Sequence, residues 1–188
     1  VNGSGESVDQ PINPIEGSPE LPYRIAVLVY LYDEQNRLLM LHRRKHPNPG
    51  MYSPIGGKVE FHRGESPHEC ARRETWEETG LRVGADDLRL CGVVSERAYQ
   101  QEHHWLIFLF ESVKPVAASS ITRMVFDEGE LCWIAIDEVE KLSIPQTDRR
   151  AMWPNVQKHR GGFFMLEIDC LKQPFEFRVV ESAPRASR

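Results

Sequence analysis

Residues 66–80 announce a helix at both ends. Ser66 suits the N-cap, Pro67 the first helical position, and Glu69 completes a capping box three residues after Ser66. Gly80 is well placed to stop the helix. The last two turns read Arg73-Glu74-Thr75-Trp76-Glu77-Glu78-Thr79. At about 100° per residue, Glu74, Glu77 and Glu78 fall within an arc of about 100°. Their Cβ atoms then lie roughly 5–6 Å apart, with Trp76 pointing to nearly the opposite side.

Such a stripe has a bland reading and a chemical one. On an exposed helix a like-charge pair costs only ~0.2–0.5 kcal/mol, so clustering alone is compatible with a solvated acidic face. Glu77 and Glu78, however, occupy the turn where the helix dipole disfavours anions, and where a solubilising face would more naturally carry Lys or Arg. In a cleft, a pair at ~6 Å repels by ~3 kcal/mol at an effective dielectric of about 20, and a cluster of three calls for a cation. Hard oxygen ligands without thiolate or imidazole favour Mg²⁺ or Mn²⁺ over Zn²⁺.

The rest of the chain reads as strands with a few helices. Residues 23–32 are β-branched and aromatic, 33–36 supply a turn, and 38–42 are expected to return as the second arm of a hairpin. A basic stretch containing Arg43 and Arg44 leads through a Pro/Gly loop to an extended segment, 52–60, interrupted by Gly56-Gly57. Strands are expected near 88–99, 104–111, 131–136, 163–169 and 175–180. A short helical turn is expected at 137–142, and a second helix at 147–159, kinked or restarted at Pro154. This alternation indicates an α+β or mixed α/β fold, a mixed β-sheet covered by helices. Residues 1–22 and 182–188 look like loose terminal segments around one domain, 23–181.

Composition narrows the partners. A formal net charge of −5 argues against a nucleic-acid polymer as ligand, and no apolar run approaches the ~20 residues of a membrane span. Cys70, Cys91, Cys132 and Cys170 stand singly, which suggests buried free thiols in a reducing cytoplasm rather than a zinc site or a disulfide framework. Trp76 is expected to pack under a neighbouring segment or, in a homodimer, at a subunit contact, with core packing preferred.

The stretch Gly57-Lys58-Val59-Glu60-Phe61-His62-Arg63-Gly64-Glu65-Ser66, followed by Arg73-Glu74-Thr75-Trp76-Glu77-Glu78-Thr79-Gly80-Leu81, resembles the Nudix box, G-x5-E-x7-R-E-U-x-E-E-x-G-U with U aliphatic. The spacing agrees over residues 65–81, and looser similarity extends over most of 23–142. There are departures. Seven residues rather than five separate Gly57 from Glu65, Thr75 replaces an aliphatic residue, and Pro54 stands one place early. The insertion precedes the helix and is expected to leave the stripe intact.

The resemblance implies an α/β/α sandwich and hydrolysis of a nucleoside diphosphate linked to another moiety. Carried over, Glu74, Glu77 and Glu78 are metal ligands for Mg²⁺ or Mn²⁺, with a carbonyl of Gly56 or Gly57. Arg73 orients a glutamate, and Glu65 supports the loop or the outer metal shell, or compensates the helix N-terminus. The general base is a box glutamate or one from the loop region of Asp127, Glu128 and Glu130, where Glu128 or Glu130 is favoured. Arg43 and Arg44 are candidates to grip a phosphate. Ser95 and Glu96 stand where ADP-ribose members often carry proline, and Tyr99 lies eighteen residues past the box, as tyrosine often does in dinucleoside polyphosphate members. The expected substrate is a small nucleotide, a nucleoside triphosphate including oxidised ones. Dinucleoside polyphosphates or ADP-ribose-type compounds, and a non-catalytic nucleotide-binding module, are the alternatives.

Overall fold

The computed structural model describes residues 17–46 and 48–184. In chain order its main elements are β1 (Tyr23–Tyr30), β2 (Arg37–Arg43), β3 (Tyr52–Ser53), α1 (Pro67–Thr79), β4 (Leu88–Tyr99), β5 (His103–Ser112), β6 (Val125–Phe126), β7 (Gly129–Ala135), α2 (Trp153–Lys158), β8 (Phe163–Asp169) and β9 (Glu176–Ala183). The strands form two sheets, one of five in the order β1-β5-β4-β8-β9 and one of four in the order β3-β2-β7-β6. The larger sheet is mixed: β1 runs parallel to β5 and β4 to β8, while β4–β5 and β8–β9 are antiparallel. The expected mixed sheet with helices is therefore found.

The expected hairpin of the first two strands is not. β1 pairs with β5 and β2 with β3 and β7, so the two arms enter different sheets. The turn between them is built around Asp33. Its carboxylate accepts the amides of Gln35 (3.0 Å) and Arg37 (2.8 Å) and the Arg37 side chain (2.7 Å). Only a local bridge, Tyr32 with Leu38, remains of the hairpin. The outer edge of β1 is covered instead by the 55–59 segment, through Val29 N–H to Ile55 (2.8 Å), Val27 N–H to Gly57 (2.9 Å) and Val59 N–H to Ile25 (3.0 Å). That pairing carries Gly56-Gly57 to the middle of the fold.

Two apolar cores result. One holds Val27, Val29, Leu39, Leu41 and Ile55 against Cys70 and Ala71 of α1. The other holds Leu109, Phe164, Leu166 and Ile168 against Met152, Trp153 and Val156 of the second helical region. Pro154 does not break that region. A π-helical turn at Asp148–Met152 runs into α2, with Pro154 in its first turn. The wider turn accommodates a proline that has no N–H to return.

Residues 1–16 and 185–188 lie outside the described residues, but β9 continues through Ser182 to Ala183. His104 also meets the start of the chain. Its Nδ1 accepts the Ala98 amide (3.1 Å), which leaves Nε2–H to donate to the Pro19 carbonyl (3.2 Å). All four cysteines are free, Cys70 and Cys91 buried and Cys132 and Cys170 half-buried. Trp76 corrects the packing expectation: it is 45% exposed, with the Arg82 guanidinium 5.8 Å from its ring.

Candidate active site

Helix α1 forms as its sequence dictates. Ser66 accepts the Glu69 amide (3.2 Å) and Glu69 accepts the Ser66 amide (2.9 Å), closing the capping box. Gly80 takes the left-handed conformation (φ 76°) and donates to the Trp76 carbonyl at 2.8 Å. The amides of Thr122 and Arg123 both reach the Thr79 carbonyl, at 3.0 and 3.1 Å, so the far end of the helix is also satisfied. Thr75 fills its aliphatic position well. It is fully buried and returns its hydroxyl to the Ala71 carbonyl at 2.7 Å.

The three glutamates share one side of this helix but not one environment. Glu78 is 4% exposed and accepts the Gly56 amide at 3.0 Å. Burial pushes its carboxyl up to about 8, the charges of Glu74 and Glu128 push the same way, and the Gly56 amide and Arg43 only partly offset them. Burial also raises Glu74, against the pull of Arg73, with Glu77 and Glu128 adding to the rise. Glu77 is the exposed member, its side chain 47% accessible.

Arg73 ties the cluster together. Its Nε and Nη2 grip Glu65 at 2.7 and 3.0 Å, and its Nη1 reaches Glu74 at 2.7 Å and Glu77 at 3.0 Å. The same bonds hold the Glu65 carboxyl below its usual range. Glu65 in turn accepts the Glu60 amide at 2.8 Å, closing the loop that carries the two extra residues. Those residues are absorbed in a short exposed turn, Phe61–Arg63, ended by Gly64 at φ 77°. The insertion leaves the stripe in place.

The Gly-Gly pair is needed for close approach. Gly56 has φ 143°, and a Cβ on it would strike the Val27 carbonyl of β1. A Cβ on Gly57 would strike the Glu74 carboxylate. Of the two carbonyls expected near a metal, that of Gly57 already accepts the Val27 amide, leaving the Gly56 carbonyl without a strand partner among the described residues.

Other expected residues divide. Glu128 lines the same pocket as Glu74, and its charge is felt by both Glu74 and Glu78; the Arg44 amide fixes its backbone at 2.7 Å. Glu130 faces Arg44 at 3.9 Å, both side chains about half exposed, and neither lines the pocket. Arg43 and Tyr99 do line it, and the Tyr99 hydroxyl donates to Asn48 at 3.1 Å.

The pocket measures about 650 Å³ and runs from Gly56, Gly57 and Glu74 to Glu96, Thr147 and Asp148. Its acidic far end escaped the sequence reading, which took Glu96 only as a replaced proline and Thr147 only as a helix start. No local signal joins residues so far apart in the chain.

Whether the near end fits a divalent metal is a question of donors. Among the described residues no three acidic, His or Cys side chains already converge as a cage, because Arg73 lies between Glu74 and Glu77 and Glu78 is turned to Gly56. The donor chemistry nonetheless fits. Glu74 is half-buried and Glu78 buried; burial chiefly raises both carboxyls, with the neighbouring carboxylates adding to the rise, and all the donors are hard oxygens.

Known proteins share the sequence pattern and the fold. The NUDIX domain pattern matches residues 22–153. A MutT-like protein of Streptomyces ambofaciens is 30% identical over 124 residues, 66% of this chain and 71% of that one. The NAD-capped RNA hydrolase NudC of Chromobacterium violaceum is 45% identical over 60 residues, 32% of this chain but only 22% of its own length. The crystal structure of a MutT protein from Bacillus halodurans superposes with a TM-score of 0.64 at 24% identity, covering 84% of this chain and 97% of that one. With its box, capped helix and sheet arrangement all in place, this chain belongs to the NUDIX family of hydrolases.

Proposed function

We propose that the protein hydrolyses the diphosphate linkage of a small nucleotide, a nucleoside triphosphate in first place, with Mg²⁺ and with Mn²⁺ as a substitute. The observation that carries this reading is the half-buried Glu74 and the buried Glu78, beside Gly56-Gly57 at one end of a pocket of about 650 Å³, a size suited to a small molecule.

Glu74, Glu77 and Glu78, with the Gly56 carbonyl, are the residues that would hold the cation. Bound there, it would offset phosphate charge and acidify an attacking water. Arg73 positions Glu74 and Glu77 while its fork stays on Glu65. Arg43, in the pocket wall, supplies positive charge for a phosphate oxygen. Glu128 is preferred to Glu130 as the group that takes a proton from water, because it shares the pocket with Glu74. The sequence shared with NudC covers only 22% of that enzyme, so it supports the diphosphate chemistry and not that enzyme's RNA substrate.

The four free thiols support a reducing, cytoplasmic setting. Among the described residues no helix is long and apolar enough to cross a membrane.

The test is a nucleotide panel assayed for phosphate and pyrophosphate with Mg²⁺, with chelator, and with Glu77→Gln. Metal-dependent turnover that falls in the variant supports the reading. Undiminished turnover in chelator or in Glu77→Gln removes the metal-ligand assignment. A ligand-dependent rise in melting temperature without turnover would indicate a binding module instead.

A further inference from the structure

Strands β8 and β9 follow the residues matched by the NUDIX domain pattern, 22–153, and β9 ends the five-stranded sheet. Among the described residues its one strand partner is β8, and all eight of its residues are exposed. The strand at the other end of the sheet, β1, has its outer edge taken by the 55–59 segment. The outer edge of β9 has no such cover among the described residues. An edge strand of this length presents a row of unpaired N–H and C=O groups, which is a template for another strand.

Residues directly opposite each other in a sheet share a face, so the register with β8 sorts the side chains of β9. Phe177 lies opposite Ile168, Val179 opposite Leu166 and Ser182 opposite Phe164, and these three partners are core residues. Phe177 and Val179 therefore project on the helix-covered face, yet they are 42% and 40% exposed, whereas Ile168 and Leu166 are 2% and 0%. The apolar layer runs on past its helical cover to the edge of the sheet. Glu176, Arg178 and Glu181 lie opposite Asp169, Glu167 and Met165, on the other face. Between the two stretches Val180 is an extra residue, a bulge where the register shifts between Met165 and Leu166. The bulge puts Arg178 and Glu181 on one face, which strict alternation in a regular strand would not do.

We propose that β9 is the edge through which two copies of this chain pair, antiparallel and end to end about a two-fold axis, joining two five-stranded sheets into one. End-to-end pairing sets Arg178 against the partner's Glu181, Val179 against the partner's Val180 and Phe177 against the partner's Ser182. In a regular strand of eight residues that register fails, because it sets residues of opposite faces against each other. The bulge removes the conflict: Arg178 and Glu181 share the outer face, and Phe177 and Ser182 the helix-covered face. The two-fold repeats each pair, so two Arg–Glu pairs flank a centre made by Val179 and Val180 of both copies. Arg178 holds Glu167 through Nε and Nη2, both at 2.7 Å, which leaves Nη1 for the partner's Glu181. Glu181 has no ion pair of its own among the described residues. Charge also sets the direction. Parallel stacking in register would place Arg178 on the partner's Arg178 and Glu181 on the partner's Glu181, and like charges directly opposite are destabilising. Once paired, both open edges are used, so the assembly closes at two copies.

Analytical ultracentrifugation of the full chain tests this, over about 5–500 µM because one strand edge makes a small interface. The wild-type protein should show a reversible monomer–dimer equilibrium. Arg178→Glu and Glu181→Arg, each checked for an unchanged melting transition, set like charges together twice per dimer. Each should weaken association by about tenfold or more. An equimolar mixture of the two variants should recover it to within about threefold of wild type, because one copy then offers glutamates and the other arginines at both positions. Recovery on mixing separates a charge match across the edge from simple damage to β9. A wild-type protein that stays monomeric throughout the range overturns the proposal, whatever else covers the edge. A dimer that neither substitution weakens belongs to another surface and overturns it as well. Weakening by both substitutions with no recovery on mixing contradicts the end-to-end register. If Arg178→Glu fails to fold, Glu181→Arg decides alone, and an unweakened dimer overturns the proposal. None of these readouts uses nucleotide turnover, so the proposal stands or falls apart from the hydrolase reading.

Discussion

The Arg73 guanidinium meets the Glu65 carboxylate fork to fork, Nε on Oε1 at 2.7 Å and Nη2 on Oε2 at 3.0 Å. One end of the helix stripe is thereby fixed to the loop that precedes the helix, and the third nitrogen is left to steer Glu74 and Glu77. A lysine has the charge but not the fork. Arg73→Lys is therefore predicted to reduce kcat/KM for nucleotide hydrolysis by roughly 10–100-fold, as lost support of a metal ligand does. Its effect on metal affinity, read by calorimetry, should be of similar size. An unchanged metal affinity would assign Arg73 to surface pairing alone.

The two glycines predict different failures. Alanine at Gly56 meets the backbone of β1 and must hold a φ of 143°, so Gly56→Ala should cost about 3 kcal/mol or more in denaturant unfolding. Alanine at Gly57 meets only the end of the Glu74 side chain, which can swing away. Gly57→Ala should cost about 1 kcal/mol in stability while lowering activity about tenfold or more, because the displaced group is a proposed ligand.

The acidic loop gives a paired comparison. Glu128→Gln is predicted to lower kcat by about 10²–10⁴-fold, the usual weight of a general base. Glu130→Gln, whose residue faces Arg44 at 3.9 Å outside the pocket, should leave kcat within about threefold. Equal and large losses in both would move the base assignment back to the loop as a whole.

These assignments show what the sequence makes legible. Helix α1 is legible because its signals are local: the capping box, Pro67 and Gly80 act within a turn of where they stand. The carboxylate stripe follows from helical spacing once that helix is granted. The partner of β1 is not local. Its apolar residues suit any buried strand, and the choice of β5 over β2 depends on the Asp33 turn and on the 55–59 segment taking the other edge. Trp76 reads as a core residue by type but lies on the open side of α1. The choice between Glu128 and Glu130 turns on two residues of strand register, and Glu96 and Asp148 meet only through the packing of the second helical region on the sheet.

Asp33 carries a pH prediction of its own. Burial alone would raise its carboxyl, but the Arg37 amide and side chain and the Gln35 amide outweigh it and hold the carboxyl below its usual value. A group depressed on folding stabilises above its unfolded value, about 4, and that stability is lost as pH falls through the folded value. Asp33→Ala should cost about 2–3 kcal/mol near neutrality. The wild-type protein should lose stability more steeply than the variant as pH falls below about 4, measured by denaturant titration at each pH. Parallel curves would mean that the Asp33 turn contributes no charge-dependent stability.

The central claim is that the buried end of the α1 stripe holds a divalent cation for diphosphate hydrolysis. Its most direct test is Mg²⁺-dependent product release by wild-type protein and by Glu78→Gln, which keeps the size of a residue 4% exposed. The account predicts turnover that disappears in chelator, returns with Mg²⁺, and falls by about 100-fold or more in a folded Glu78→Gln. Hydrolysis that survives both chelator and the substitution would contradict it.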